Sequence, residues 1–166
     1  TSGENDSELI ARIKAIVAAE EPISEDFLIR RAFASLGIIK SGTKAEGRMR
    51  DLIPLCKFSR EKLVGAFYYR KTDKAAAYDK CRVENSEKAV RKVENDYSPY
   101  EIIALIRAAL EDKVALYQDE IFNIVCVVMR VNRATDKFAA YVNDCITLGE
   151  EKGFFVRSVS DRISLA

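Results

Sequence analysis

The chain has 166 residues, of which 48% are apolar and 32% charged. Those proportions belong to a folded chain long enough to bury a core and exclude a disordered one. The net charge of +1 singles out no partner, and the absence of any histidine excludes Ser-His-Asp and Cys-His nucleophiles and a zinc hydrolase of the usual kind.

The charge is nevertheless uneven. Between Leu28 and Lys74, twelve Lys or Arg stand against four Asp or Glu, so a basic middle interrupts an acidic remainder. An anionic partner would sense that field. The four cysteines, Cys56, Cys81, Cys126 and Cys145, lie far apart. No metal knuckle or redox pair is present, and the expectation is reduced, buried thiols in a cytoplasmic protein. The longest apolar run, 121–131, is interrupted by Asn123 and Arg130 and is too short to cross a bilayer. The start shows neither the basic flank nor the apolar core of a signal peptide. It also lacks an initiator Met, as expected of a piece of a longer protein.

Leu9, Ile10, Ile13, Ile16 and Val17 recur at helical spacing and predict a first amphipathic helix, with Asp6 or Ser7 as its cap. A short apolar connection, Pro22-Ile23, leads to a second helix over 25–36, capped by Ser24 and ended by Gly37. Lys40-Ser41-Gly42 makes a turn into a third helix over 43–54. A strand-turn-strand pattern follows, with a Glu61-Lys62 turn ahead of Leu63 to Arg70. The segment 71–97 is highly charged and reads as a linker, compatible with an extended strand near 81–83 or a short helix near 86–94. Ser98-Pro99 with Glu101 is a capping box with Pro at the first helical position. Helices are predicted from there, over 118–129 and over 135–151, before a hairpin turning at Ser160-Asp161.

The second half repeats the first. A shift of 93 residues lays 8–53 on 101–146 without a gap, with nine identities that include Glu8 with Glu101, Asp26 with Asp119, Lys44 with Lys137 and Ile53 with Ile146. Apolar positions agree as well, among them Leu28 with Ile121 and Met49 with Val142. The expected fold is mainly α with small β-hairpins. It is a tandem winged-helix-like arrangement of three helices plus a wing, twice, with units at 1–70 and 98–166 and the charged linker 71–97 between them.

Candidate chemistry concentrates in the first unit. Lys40, Lys44, Arg48, Arg50, Lys57, Arg60 and Lys62 lie on or just after its third helix, the element that enters the major groove in a winged helix. Lys44 and Arg48 share a face, and Gly42, Ala45 and Gly47 would allow close approach. These residues read either as a phosphate-binding surface or as the solvated face of an ordinary core helix. Phe138 and Tyr141 of the second unit read as packing residues, and Phe67-Tyr68-Tyr69 as a strand rather than a base-stacking platform. The scattered glycines form no phosphate loop. The acid pairs Glu20-Glu21 and Glu150-Glu151 stand at helix ends, where solvation accounts for them. No catalytic residue, cofactor, metal or small-molecule substrate is indicated.

The stretch PISEDFLIRRAFASLGIIKSGTKAEGRMRDLI (22–53), the aromatic-ended hairpin Phe67-Tyr68-Tyr69-Arg70, the charged segment and SPYEIIALIRAALE (98–111) together resemble a domain of unknown function. That domain lies at the C-terminal end of large bacterial helicase-like proteins of superfamily one. The family's turn of a basic residue, a variable residue, Gly, Ser or Thr and a basic residue is matched by Lys40-Ser41-Gly42-Thr43-Lys44. A Tyr replaces the usual Trp after the first hairpin, and the second copy of the turn, 133–137, has no Gly. The resemblance implies a non-catalytic accessory domain beside an ATP-driven motor whose own motifs this chain lacks. Its expected partners are nucleic acid, DNA before RNA, or other domains of the parent protein, with no membrane contact. The rival expectation is a docking module that touches protein alone.

Overall fold

A computed structural model describes residues 2–71, 79–84 and 91–166, with side chains from residue 5 onward. The structure is mainly helical, with two small antiparallel sheets of three strands each. It divides into two compact units, Thr1–Ala76 and Ala77–Ala166. The described parts of 71–97 other than Lys71 therefore fold with the second unit.

The first unit runs α1 (Ser2–Glu20), β1 (Ile23–Ser24), α2 (Glu25–Ser35), α3 (Thr43–Leu52), a 3-10 turn (Ile53–Cys56), β2 (Ser59–Leu63) and β3 (Ala66–Arg70). Because α1 begins at Ser2, Asp6 and Ser7 lie inside the helix and do not cap it. Ser24 does cap α2: its hydroxyl accepts from the Phe27 N–H at 3.3 Å, and Glu25 and Asp26 fill the favourable first turn. Pro54 lies in the turn that ends α3, so the helix stops at Leu52 rather than at 54. The β2–β3 hairpin turns at Val64-Gly65, where both residues have positive φ, as a two-residue type I′ hairpin requires. Glu61 and Lys62 instead pair with Tyr68 and Phe67 inside the ladder. The core gathers Ile13 and Val17 of α1, Phe27, Leu28 and Ala32 of α2, and Met49, Leu52 and Ile53.

The second unit opens with a single distorted turn, α4 (Val93–Asp96), followed by α5 (Pro99–Glu111), β4 (Leu116–Tyr117), α6 (Gln118–Val128), α7 (Asp136–Glu151), β5 (Phe155–Arg157) and β6 (Arg162–Leu165). The strand and helix starts Ile23, Glu25 and Thr43 recur at Leu116, Gln118 and Asp136, each 93 residues on. Buried partners keep that shift: Ile13 with Ile106, Val17 with Leu110, Leu28 with Ile121, Ala32 with Val125 and Ile53 with Ile146. Both sheets place the last strand in the middle, with Ile23 opposite Tyr69 and Leu116 opposite Ile163.

Helices α2 and α6 end alike. Ile38 N–H reaches the Phe33 carbonyl at 3.0 Å and Val131 N–H reaches that of Cys126 at 2.8 Å. These are two Schellman caps, whose left-handed residue is Gly37 (φ 74°) in one and Arg130 (φ 55°) in the other.

The aligned glutamates diverge. Glu8 is 61% exposed in its side chain and pairs with Arg12 one turn on. Glu101 is 0% exposed and accepts from Ser98 N–H, from Arg91 at 2.8 Å, and from Arg82 through both Nε at 2.9 Å and the backbone N–H. The Arg91 guanidinium also lies 3.8 Å over the Tyr97 ring. One carboxylate thereby closes the capping box of α5 and ties the residues around 82 and 91 to it.

Two outcomes follow. Arg130→Gly should stabilise the second unit by about 0.5–1 kcal/mol, since a glycine adopts positive φ without the side-chain penalty. Glu101→Ala should cost about 3 kcal/mol or more by leaving two guanidinium groups without their carboxylate, whereas Glu8→Ala should stay within about 0.5 kcal/mol. Protection of the buried Cys145 thiol from labelling across a urea series reads both on the second unit.

Candidate nucleic-acid interface

The seven basic residues singled out from the sequence do not form one equivalent set. Helix α3 presents Lys44 and Arg48 beside a shallow depression lined also by Gly42, Ala45, Gly47 and Asp51. A Cβ added at Gly42 or Gly47 would meet nothing within 4 Å, so both glycines thin the helix surface on an open side. Gly42 occupies the N-cap position and offers no side-chain cap. Lys40, Lys44 and Lys57 are exposed and make no ion pair among the described residues.

The arginines are engaged. Arg48 pairs with Asp6 of α1 at 2.5 Å. Arg50 meets Glu25 at 3.3 Å and Asp26 at 3.4 Å at the start of α2, and Glu46 one turn back on its own helix at 3.8 Å. On the β2–β3 hairpin, Arg60 lies 4.3 Å over the Phe67 ring and Lys62 lies 5.8 Å from it, a cation–π stack on the strand pair that holds all three. Tyr68 and Tyr69 are buried, so neither offers a face to a base. Of the aromatic run only Phe67 is partly open, and the two cations stack on it.

The acidic partners were not visible in the sequence as such. Glu46 to Arg50 follows helical spacing, but Asp6 lies 42 residues from Arg48 and Glu25 lies 25 from Arg50, distances that only the fold closes. Glu25 has a second task, accepting from the Tyr69 hydroxyl at 2.6 Å. Burial, and then that hydrogen bond and the carboxylate's charge, push the Tyr69 phenol up to about 12, with nearby Arg60 pulling the other way.

The corresponding face of the second unit has different chemistry. Phe138 and Tyr141 are buried; Phe138 packs 5.7 Å from Phe122, and the Tyr141 hydroxyl donates to the Tyr97 carbonyl. Arg130, Arg133 and Lys137 are exposed near the turn, and Thr135 caps α7 through the Phe138 N–H.

All four cysteines are free thiols. Burial raises each above the usual thiol range, and it pushes Cys81 up to about 12, where the Glu101 charge adds to it against Arg91 and Arg82. At neutral pH these thiols are protonated and poor nucleophiles. Among the described residues, no group of three or more His, Cys, Asp or Glu converges as a metal site needs, and no helix is long and apolar enough to cross a membrane. No family model matches the chain, and no curated protein or solved structure matches it either.

Because the fold raises the Tyr69 pKa, its neutral phenol contributes stability that is fully present below about pH 10 and lost as pH rises toward 12. An ultraviolet tyrosinate titration should show a late-titrating fraction near the upper end of that window. Tyr69→Phe should remove that fraction and shrink the alkaline loss of stability.

Proposed function

We propose that each unit is a winged helix and that the first binds nucleic acid through the phosphate backbone, as a non-catalytic, cytoplasmic accessory domain of a helicase-like protein. The observation that carries this reading is the trio Lys40, Lys44 and Lys57, exposed around a third helix whose surface is thinned by Gly42 and Gly47. Lysines without partners among the described residues can replace condensed counterions along a phosphate chain. Helix–strand–helix–helix–hairpin order with the third helix facing solvent supports a winged-helix docking mode. The sequence resemblance to the C-terminal domain of superfamily-one helicase-like proteins supplies the parent context, with DNA as the first candidate ligand.

A second reading, docking against protein, is favoured by exposed apolar side chains. Ile39, 97% exposed, sits in the turn before α3, and Val127 and Val159 are exposed on the second unit. Salt separates the two readings, because phosphate neutralisation weakens steeply with ionic strength and apolar docking does not.

Replacing Lys40 and Lys44 together by Ala should weaken binding to duplex and single strands about equally across sequences. The slope of log affinity against log salt should flatten by roughly two units, and stability should change by less than about 0.5 kcal/mol. Fluorescence anisotropy with labelled oligonucleotides at several salt concentrations checks this. No affinity for any nucleic acid at low salt leaves the docking reading in place.

A further inference from the structure

Arg48 and Arg50 carry the only guanidinium groups on α3, and both point at acids of their own unit. The two copies of the unit explain why. Ninety-three residues on, Glu25 and Arg50 become Gln118 and Asn143, and these two side chains also meet, the Gln118 amide donating to the Asn143 oxygen at 2.9 Å. The same shift turns Arg48 into Tyr141, which is again tied inward, to the Tyr97 carbonyl. Both positions therefore serve as internal struts in both units. In the first unit they brace α3 against α2 and α1 with charge, and in the second, neutral groups brace α7 against α6 and against Tyr97, the residue ahead of the α5 cap.

We propose that Asp6, Glu25 and Asp26 hold Arg48 and Arg50 out of ligand contact, so that the first unit takes the sugar–phosphate backbone of nucleic acids without regard to base sequence. This deepens the nucleic-acid reading above and rests on it. A guanine edge is read by Arg or Lys and an adenine edge by Asn or Gln, and of the two cations the planar guanidinium fork is the one pre-organised for a bidentate contact. The helix sequence Thr43–Leu52 contains no Asn or Gln, and its two forks are engaged by carboxylates from α1, α2 and Glu46 of α3 itself. What remains outward is lysine, a flexible point charge suited to phosphate. The carboxylates already occupy the guanidinium groups that a phosphate oxygen would have to engage. They act as a standing competitor that salt and solvent keep weak, because the pairs are partly exposed.

The test uses the whole chain and blunt duplexes of equal length, one all A·T and one all G·C. The two affinities should agree within about threefold, against the roughly tenfold or greater loss that one mismatched contact causes in a base-reading protein. The double variant Glu25→Gln with Arg50→Asn imports the second unit's pair and leaves net charge unchanged. Its affinity and salt slope should match the wild type. Asp6→Asn should release Arg48, tightening binding about threefold to tenfold and steepening the slope by about one unit.

If the wild type binds in a salt-dependent way but the Glu25/Arg50 exchange flattens the slope by about one unit, Arg50 is a ligand contact and the inference is overturned while the nucleic-acid reading stands. A hundredfold preference between the duplexes overturns it too, as does an Asp6→Asn variant that binds no tighter. Absence of binding by the wild type removes both. Circular dichroism of each variant establishes that it is folded before any affinity is compared.

Discussion

Each unit hangs on a strand only two residues long. Ile23 and Ser24 pair with Tyr69 and Tyr68 of the hairpin, and the next residue already belongs to α2, capped by the same Ser24 whose backbone lies in the sheet. Leu116 and Tyr117 do the same against Ile163 and Arg162, and the Tyr117 N–H is taken by Glu120 at 2.7 Å. The junction leaves no slack between sheet and helix. The hairpin is fixed to the start of the second helix of its unit, buried Ile23 or Leu116 is driven into the core, and the third helix must pack across what remains. The exposed side of α3 follows from this chain of constraints, because Met49, Leu52 and Ile53 have only one core to fill.

Within that shared plan, the units divide polar groups in opposite ways. The first spends its acids at the surface, where Asp6, Glu25, Asp26 and Glu46 meet arginines in partly exposed pairs worth at most about 1 kcal/mol each. The second sinks one carboxylate, Glu101, completely and surrounds it with two guanidinium groups and two backbone donors. The first arrangement keeps a solvated face that an anion can approach. The second makes a rigid polar knot whose value is architectural, since a buried charge without its partners would be costly.

Much of this fold is written locally. Ser24, Ser98-Pro99 and Gly37 mark helix ends by capping chemistry that acts within four residues, and the 93-residue shift survives because the buried positions must match in period and size. The hairpin turn was harder to read. Val64 with φ 47° is a poor turn residue by its β-branched side chain, so charged Glu61-Lys62 looked the better turn although both lie in the ladder. The start of α1 was obscured by Asp6 and Ser7, which resemble a cap but lie inside the helix. At the candidate interface the lysines and arginines could be enumerated from sequence. Which of them were already engaged could not, because Asp6 and Glu25 reach Arg48 and Arg50 only through the packing of α1 and α2 against α3.

The grip of Glu101 on Arg82 bears on where this chain can be divided. Residues 79–84 hold no helix or strand; Asp79, Cys81 and Val83 line a small apolar hollow of about 370 Å³ beside Ala104, Leu105 and Ala108, while the intervening Arg82 turns to the carboxylate. A fragment opened at Ser98, the natural-looking start of α5, would strip both arginines from a buried acid and bare that part of the helix at once. One opened ahead of Asp79 carries its own lid and counter-ions. For proteolysis, domain grafting or expression in pieces, the boundary of the second unit is set by electrostatics at Arg82, seventeen residues upstream of its first long helix.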